Sequence, residues 1–258
     1  MLLCVDIGNT NTVLATFDGD TLVHSWRIKT DSRATADELV LTFRGLLAGD
    51  NVQVTGICVS STVPQALREL RTMLSRYYAD VHTVLVAPGV RTGVKLAIDN
   101  PREVGADRIV NTHAAFQLYG GPSIIVDFGT STNIDAISAD CEFLGGAFAP
   151  GIEISIDALA SRAAQLQKVE PVKPRSVIGK NTVECLQSGI IYGFAGQIDG
   201  LVRRFIAELG EVAAVIATGG LAPVIIGECE TITHHEPMLT LIGLRMVFER
   251  NSPARATA

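Results

Sequence analysis

A seven-residue segment occurs twice in this chain with nearly the same chemistry, and that repetition limits the folds open to it. Asp6-Ile-Gly-Asn-Thr-Asn-Thr12 aligns without gaps on Asp127-Phe-Gly-Thr-Ser-Thr-Asn133, a separation of 127 − 6 = 121 positions. Each copy ends a hydrophobic strand with a carboxylate, turns through Gly, and continues with hydroxyl and amide residues. Two copies are too few for a solenoid, which needs three or more. The expected architecture is a duplicated domain whose halves face each other across a cleft.

The pattern around each copy restarts in the same way. Leu2 to Ile7, Thr12 to Phe17 and Thr21 to Ile28 read as an antiparallel meander with polar turns. Helical spacing follows over Ala36 to Leu47 and Gln65 to Tyr77, interleaved with strands at Thr55 to Val59 and Thr83 to Val86, and Glu103 to Leu118 closes the half as a helix. Ser123 to Asp127, Asn133 to Ser138 and Glu142 to Ala147 are again three short strands. Helices are expected over Ile152 to Leu166, Thr182 to Leu209 and Met238 to Arg250, with a strand at Ala213 to Ala217 and a frayed tail from Ser252. The reading is α/β: two duplicated domains, residues 1–118 and 119–258, each a mixed sheet with flanking helices.

Composition narrows the partners. The formal net charge of −6 argues against nucleic acid, which needs clustered Lys and Arg to displace counterions. Apolar residues form no run near the ~20 that span a bilayer, so no membrane partner and a cytoplasmic location are expected. Five scattered cysteines without a C-x-x-C pair read mostly as buried thiols; Cys229 beside His234 and His235 matches no common metal spacing.

The repeated turn is a phosphate-handling design. Gly lets the backbone approach a phosphate, Thr and Asn donate hydrogen bonds, and Asp holds a charge-shielding cation. An ordinary hairpin would use some of the same residues, but the matched pair favours the functional reading. Thr218-Gly219-Gly220 ends the later strand, where small residues admit a planar ring or a phosphate. Asn181-Thr-Val-Glu184 reads as a capping box opening the long helix, a role that accounts for Asn181 and Glu184.

Two phosphate loops and a later Gly-rich adenosine loop, in this order, resemble the acetate and sugar kinase, Hsp70 and actin superfamily. Four further segments resemble the type III pantothenate kinases in particular: Asn100-Pro-Arg-Glu-Val-Gly-Ala-Asp-Arg-Ile-Val-Asn111, Leu144-Gly-Gly-Ala-Phe-Ala-Pro-Gly151, Val177-Ile-Gly-Lys-Asn-Thr182 and Leu239-Thr-Leu-Ile-Gly-Leu244. The resemblance implies an actin-like (ribonuclease H-like) fold and ATP-dependent phosphorylation of pantothenate to 4′-phosphopantothenate, the first step of coenzyme A biosynthesis. It implies an ATP-phosphate loop of Asp6, Ile7, Gly8, Asn9, Thr10, Asn11, Thr12 and Val13, with Asp6 near Mg2+ and Thr130 also touching ATP. Asp127 would hold a monovalent cation, K+ or NH4+. Gly105, Ala106, Asp107 and Arg108 would bind pantothenate, with Asp107 as proton acceptor, Thr182 as a further contact, and a homodimer as the assembly.

The chain departs from the family pattern at three places. Ile98 stands at a substrate-contacting position where Tyr is usual, Ala163-Ala-Gln-Leu-Gln167 replaces Thr-Ala-x-Leu-Pro, and the second loop ends in Asn133 where Thr is commoner. Loss of the phenol removes one hydrogen bond, about 0.5–1.5 kcal/mol, or roughly tenfold in binding. The competing readings are a catalytically weak or inactive nucleotide-binding or regulatory relative, and an actin-like kinase for another hydroxylated acid or a sugar.

Overall fold

The computed structural model describes residues 1–49, 52–163 and 166–252. Part of the Ala163–Gln167 stretch and most of the tail fall at positions 164, 165 and 253–258, outside the described residues; the helix expected over 152–166 stops at Arg162, with Ala163 already extended.

The chain opens with the expected meander, β1 (Leu2–Ile7), β2 (Asn11–Asp18) and β3 (Thr21–Lys29). It continues through α1 (Ala36–Gly49), β4 (Gly56–Ser61), α2 (Pro64–Tyr77) and β5 (His82–Leu85). Local chemistry sets the helix starts. Thr35 and Glu38 form a reciprocal cap on α1, in which the Thr35 amide donates to the Glu38 carboxylate at 2.8 Å. Pro64 opens α2 at a position whose N–H would have no helical partner.

A two-residue strand β6 (Lys95–Leu96) precedes α3 (Ala106–Tyr119). The helix expected from Glu103 starts three residues later, because Pro101–Glu103 is a separate 3-10 turn and Val104 is extended. The second half then runs β7 (Ser123–Phe128), β8 (Ser131–Ile137), β9 (Glu142–Pro150), α4 (Ile152–Arg162) and α5 (Thr182–Leu209). It ends with β10 (Ala214–Thr218), a short α6 (Ala222–Ile225), β11 (His234–His235) and α7 (Leu239–Asn251). Strands as short as β6 and β11 carry no alternation for sequence reasoning to detect.

The sheets repeat one plan. The first has the order β3-β2-β1-β4-β5, the second β11-β10-β7-β8-β9-β6. In both, the repeat-bearing strand pairs antiparallel with the next strand and parallel with one reached by a crossover: β1 with β2 and β4, β7 with β8 and β10. Mixed, helix-flanked sheets are the class expected from the duplication.

The chain divides into two compact units, and they are not its two continuous halves. One comprises Met1–Val94, Asn100–Ala114 and the chain from Thr240 onward; the other comprises Lys95–Asp99 and Ala115–Leu239. The single boundary expected at 118/119 is therefore corrected. The reason is packing: α7 returns to the first unit, where a Cβ at Gly243 would lie 2.2 Å from the Val110 carbonyl oxygen of α3, and Phe248 lies against Gly56 of β4.

Strand alternation separates core from chemistry. In the first unit Leu3, Val5 and Ile7 join Val40, Phe43, Leu70 and Met73 in a core under α1 and α2. Cys4 and Asp6 therefore face the opposite side, which Cys58 and Ser60 of β4 share. In the second unit Ile124, Val126 and Phe128 join Ile191, Ile198 and Val202 of α5 in the core, leaving Asp127 on the other face.

The contact of α7 with α3 allows no side chain at position 243. Gly243→Ala is expected to destabilise the protein by about 1–3 kcal/mol. Gly200→Ala in α5, where a Cβ meets nothing within 4 Å, is expected to be neutral or mildly stabilising. Thermal unfolding of the two variants checks this contrast.

Candidate active site

Asp6 is the penultimate residue of β1, and its strand partner on β4 is Ser60. The Ser60 hydroxyl, 1% exposed, donates to Asp6 Oδ1 at 2.6 Å. Asp6 as a residue is half-buried. Burial pushes its carboxyl from 3.8 up to about 7; the Ser60 bond opposes the rise and the charge of Asp107 adds to it.

Asp107 lies in the first turn of α3, where the helix N-terminus favours a negative charge. Its Oδ1 accepts the Arg108 amide at 2.9 Å. Burial raises its pKa, and the amide and guanidinium of Arg108 offset part of that rise. Gly105 is the space into which the carboxylate folds: a Cβ there would sit 2.4 Å from Asp107 Oδ1. Thr62 packs 3.7 Å from the same point, and its amide donates to the Ile7 carbonyl at 3.0 Å. The end of β4 thus links the end of β1 to the Gly105–Arg108 turn, and Ala106 starts the helix that carries Asp107.

Between β1 and β2, Asn9, Thr10 and Asn11 are exposed, Gly8 and Val13 are half-buried, and Ile7 and Thr12 are buried. The Gly8 amide donates to the Asn11 carbonyl at 3.0 Å, closing the turn. These are the residues expected to meet phosphate.

In the second unit Asp127 occupies the corresponding place on β7, opposite Thr218 of β10. Gly219, at φ +91°, passes so close that a Cβ would lie 2.6 Å from Asp127 Oδ1. The Gly-rich segment after β10 therefore touches the repeat carboxylate, and no other residue fits there. Thr130 is exposed in the turn after β7.

The register corrects one expectation. In the first unit Ile7 pairs with Thr12, but in the second Phe128 pairs with Thr132. The second turn is one residue shorter, closed by Gly129 N–H to Ser131 O at 3.1 Å. Past the turn the gap-free alignment is displaced by one, and Thr132, not Asn133, stands where Thr12 does. The loop retains its Thr.

Two further expected contacts also lie in the second unit. Ile98 packs against Gly145, 3.6 Å from where its Cβ would be. Thr182 is exposed in the first turn of α5, and Asn181 caps that helix by accepting the Glu184 amide at 2.9 Å. Glu184 returns the contact to the Lys180 amide at 3.0 Å, one residue before the usual capping-box partner. Ser60 and Thr62 were missed by sequence reasoning. Only the parallel pairing of β4 with β1, residues 54 positions apart, reveals them.

A family model of the type III pantothenate kinases matches residues 2–204. The chain belongs to the type III pantothenate kinase family. A protein of that name from Salinispora arenicola is 74% identical over 97% of this chain and 100% of its own length. Another from a Parafrankia strain is 66% identical over 99% of this chain and 100% of its own. At the level of fold alone, the chain is similar to a ROK family glucokinase from Streptomyces griseus solved with glucose and AMPPNP, with a TM-score of 0.53, 11% identity and coverage of 97% and 99%. The likeness to that kinase carries the actin-like fold. The weak or inactive relative gains no support, since full-length matches at this identity are to proteins named as kinases.

Use of ATP and a divalent metal goes with the family. Asp6 suits such an ion: the nearby charge of Asp107 adds to the cost of ionising its half-buried carboxylate, which a divalent cation relieves. Mg2+ commonly takes one or two carboxylates and leaves its other positions to phosphate and water.

The raised pKa of Asp6 has a sign that can be tested. Its folded value exceeds its unfolded value, so this group strains the ligand-free fold above pH 7 and the strain fades as pH falls toward 3.8. Ligand-free Asp6→Asn is expected to melt about 2–4 °C above the unsubstituted protein at pH 8, with the gap roughly halved by pH 5. Calorimetry at both pH values reads this; an unchanged or lower melting point at pH 8 contradicts it.

Proposed function

We propose that this family member transfers the γ-phosphoryl group of ATP to the 4′-hydroxyl of pantothenate through Asp107. The observation that carries the assignment is Asp107 in the first turn of α3, its carboxylate lying over the missing side chain of Gly105 and made more basic by burial. Gly105, Ala106 and Arg108 bind the acceptor beside Asp107, and Ile98 and Thr182 are the remaining acceptor-binding positions. The hydroxyl oxygen bonds to the γ-phosphorus as the bond to the β–γ bridging oxygen breaks. ADP departs, and Asp107 takes the hydroxyl proton late in the transfer.

Asp6 holds Mg2+ and the turn Ile7–Val13 donates hydrogen bonds to the ATP phosphates; Thr130 makes a further ATP contact. Mg2+, when bound, neutralises charge on the phosphates. Asp127 holds K+ or NH4+. An ADP-release assay with pantothenate, ATP, Mg2+ and K+ is expected to show turnover that falls when K+ is replaced by a large organic cation. Asp107→Asn is expected to lower kcat by about 10²–10⁴ with little change in KM for ATP. No turnover by the unsubstituted enzyme at saturating substrates overturns the proposal.

The second unit also supports a homodimer. Phe148 of β9 is 66% exposed, Val177 62% and Ile178 71%, and Ile154, Leu159 and Val183 of the neighbouring helices are exposed as well. Exposed apolar side chains of this size are the kind that a second copy of the chain would cover. Sedimentation is expected to give a dimer that Phe148→Asp converts to monomer. The enzyme acts in the cytoplasm, and no helix among the described residues is long and apolar enough to cross a membrane.

A further inference from the structure

Thr30 follows β3, outside every motif picked out in the sequence, yet it touches the first phosphate turn at three points. Its amide donates to the Thr10 carbonyl at 3.0 Å. Its hydroxyl donates to the Gly8 carbonyl at 2.7 Å. The Thr12 hydroxyl lies 2.9 Å from the same oxygen. Thr30 Oγ1 has one proton and gives it to Gly8, so Thr12 is the donor in that last bond.

These bonds orient the turn as well as holding it. In a trans peptide the carbonyl oxygen and the following N–H point to opposite sides. With the Gly8 and Thr10 carbonyls drawn toward Thr30, the amides of Asn9 and Asn11 are aimed away from it. Asn9, Thr10 and Asn11 are the exposed part of the turn. A cavity of ≈ 160 Å³ adjoins Thr12 and Thr30, lined also by Ile7, Ile28, Leu39 and Phe43, so side-chain packing is incomplete on that side of the pair.

We propose that Thr30 is a positioning residue for nucleotide binding, setting the direction of the phosphate-facing amides through the Gly8 and Thr10 carbonyls. The inference rests on residues 6–13 being the ATP-phosphate turn. Thr30→Val keeps the side-chain volume and removes the hydroxyl; Thr30→Ser keeps the hydroxyl. Thr30→Val is expected to raise KM for ATP and Kd for ADP about tenfold, with KM for pantothenate within about twofold. Thr30→Ser should restore both nucleotide constants to within about threefold, which a loss of packing alone would not permit.

Gly8→Val serves as the control on the turn itself, since a Cβ at position 8 already meets the Asn11 carbonyl at 3.2 Å. If Gly8→Val weakens nucleotide binding and Thr30→Val does not, the turn binds phosphate and the role of Thr30 is overturned. If neither variant changes KM for ATP or Kd for ADP, the phosphate-turn reading fails and the proposal fails with it. Thr30→Ser as damaging as Thr30→Val, or an equal rise in both substrate KM values, likewise overturns it.

Discussion

A carboxylate placed one residue before the end of a buried strand is the constraint on which this molecule depends. Strand alternation puts Leu3, Val5 and Ile7 into the core and Asp6 on the opposite face, and the same rule separates Ile124, Val126 and Phe128 from Asp127. A shift of one residue in either strand would bury the charge among aliphatic side chains. The repeated segment is therefore a statement about sheet faces before it is one about phosphate.

Holding Asp6 in that position costs stability in the ligand-free protein. Burial and the neighbouring Asp107 charge both oppose its ionisation, and a single Ser60 hydroxyl works the other way. Such an arrangement persists where a ligand relieves it, and a metal-bound polyphosphate has the charge to do so. Gly105 belongs to the same economy of space: its missing side chain is what allows Asp107 to lie where it does. The first unit thus carries a strained acidic pair, with the backbone around it shaped to keep the pair in place.

The two units share strand order and differ in detail. Both wind a meander and then two parallel strands, yet the turn after β7 is one residue shorter than the turn after β1. The longer turn leaves three exposed residues and has Thr30 behind it; the shorter one is closed by Ser131 and is approached by Gly219. Duplication supplied the framework, and small changes in turn length gave the copies separate surroundings.

Much of this was legible in the residues alone. The repeat, the meanders, most helices and the capping role of Asn181 followed from alternation, helical spacing and side-chain chemistry, because those signals act between residues close in sequence. The motifs around Asp6 and Asp127 were visible for the same reason, whereas Asp107 was singled out by the resemblance, which also attached a reaction to all three. What tertiary structure alone decided involves residues far apart in the chain: Ser60 on Asp6, Thr30 under Gly8, α7 returning to Val110, and the one-residue register step that places Thr132 opposite Phe128. A hydrogen bond or a close backbone approach between distant segments leaves no periodicity in the sequence. It exists only once strand pairing and helix packing have brought the segments together.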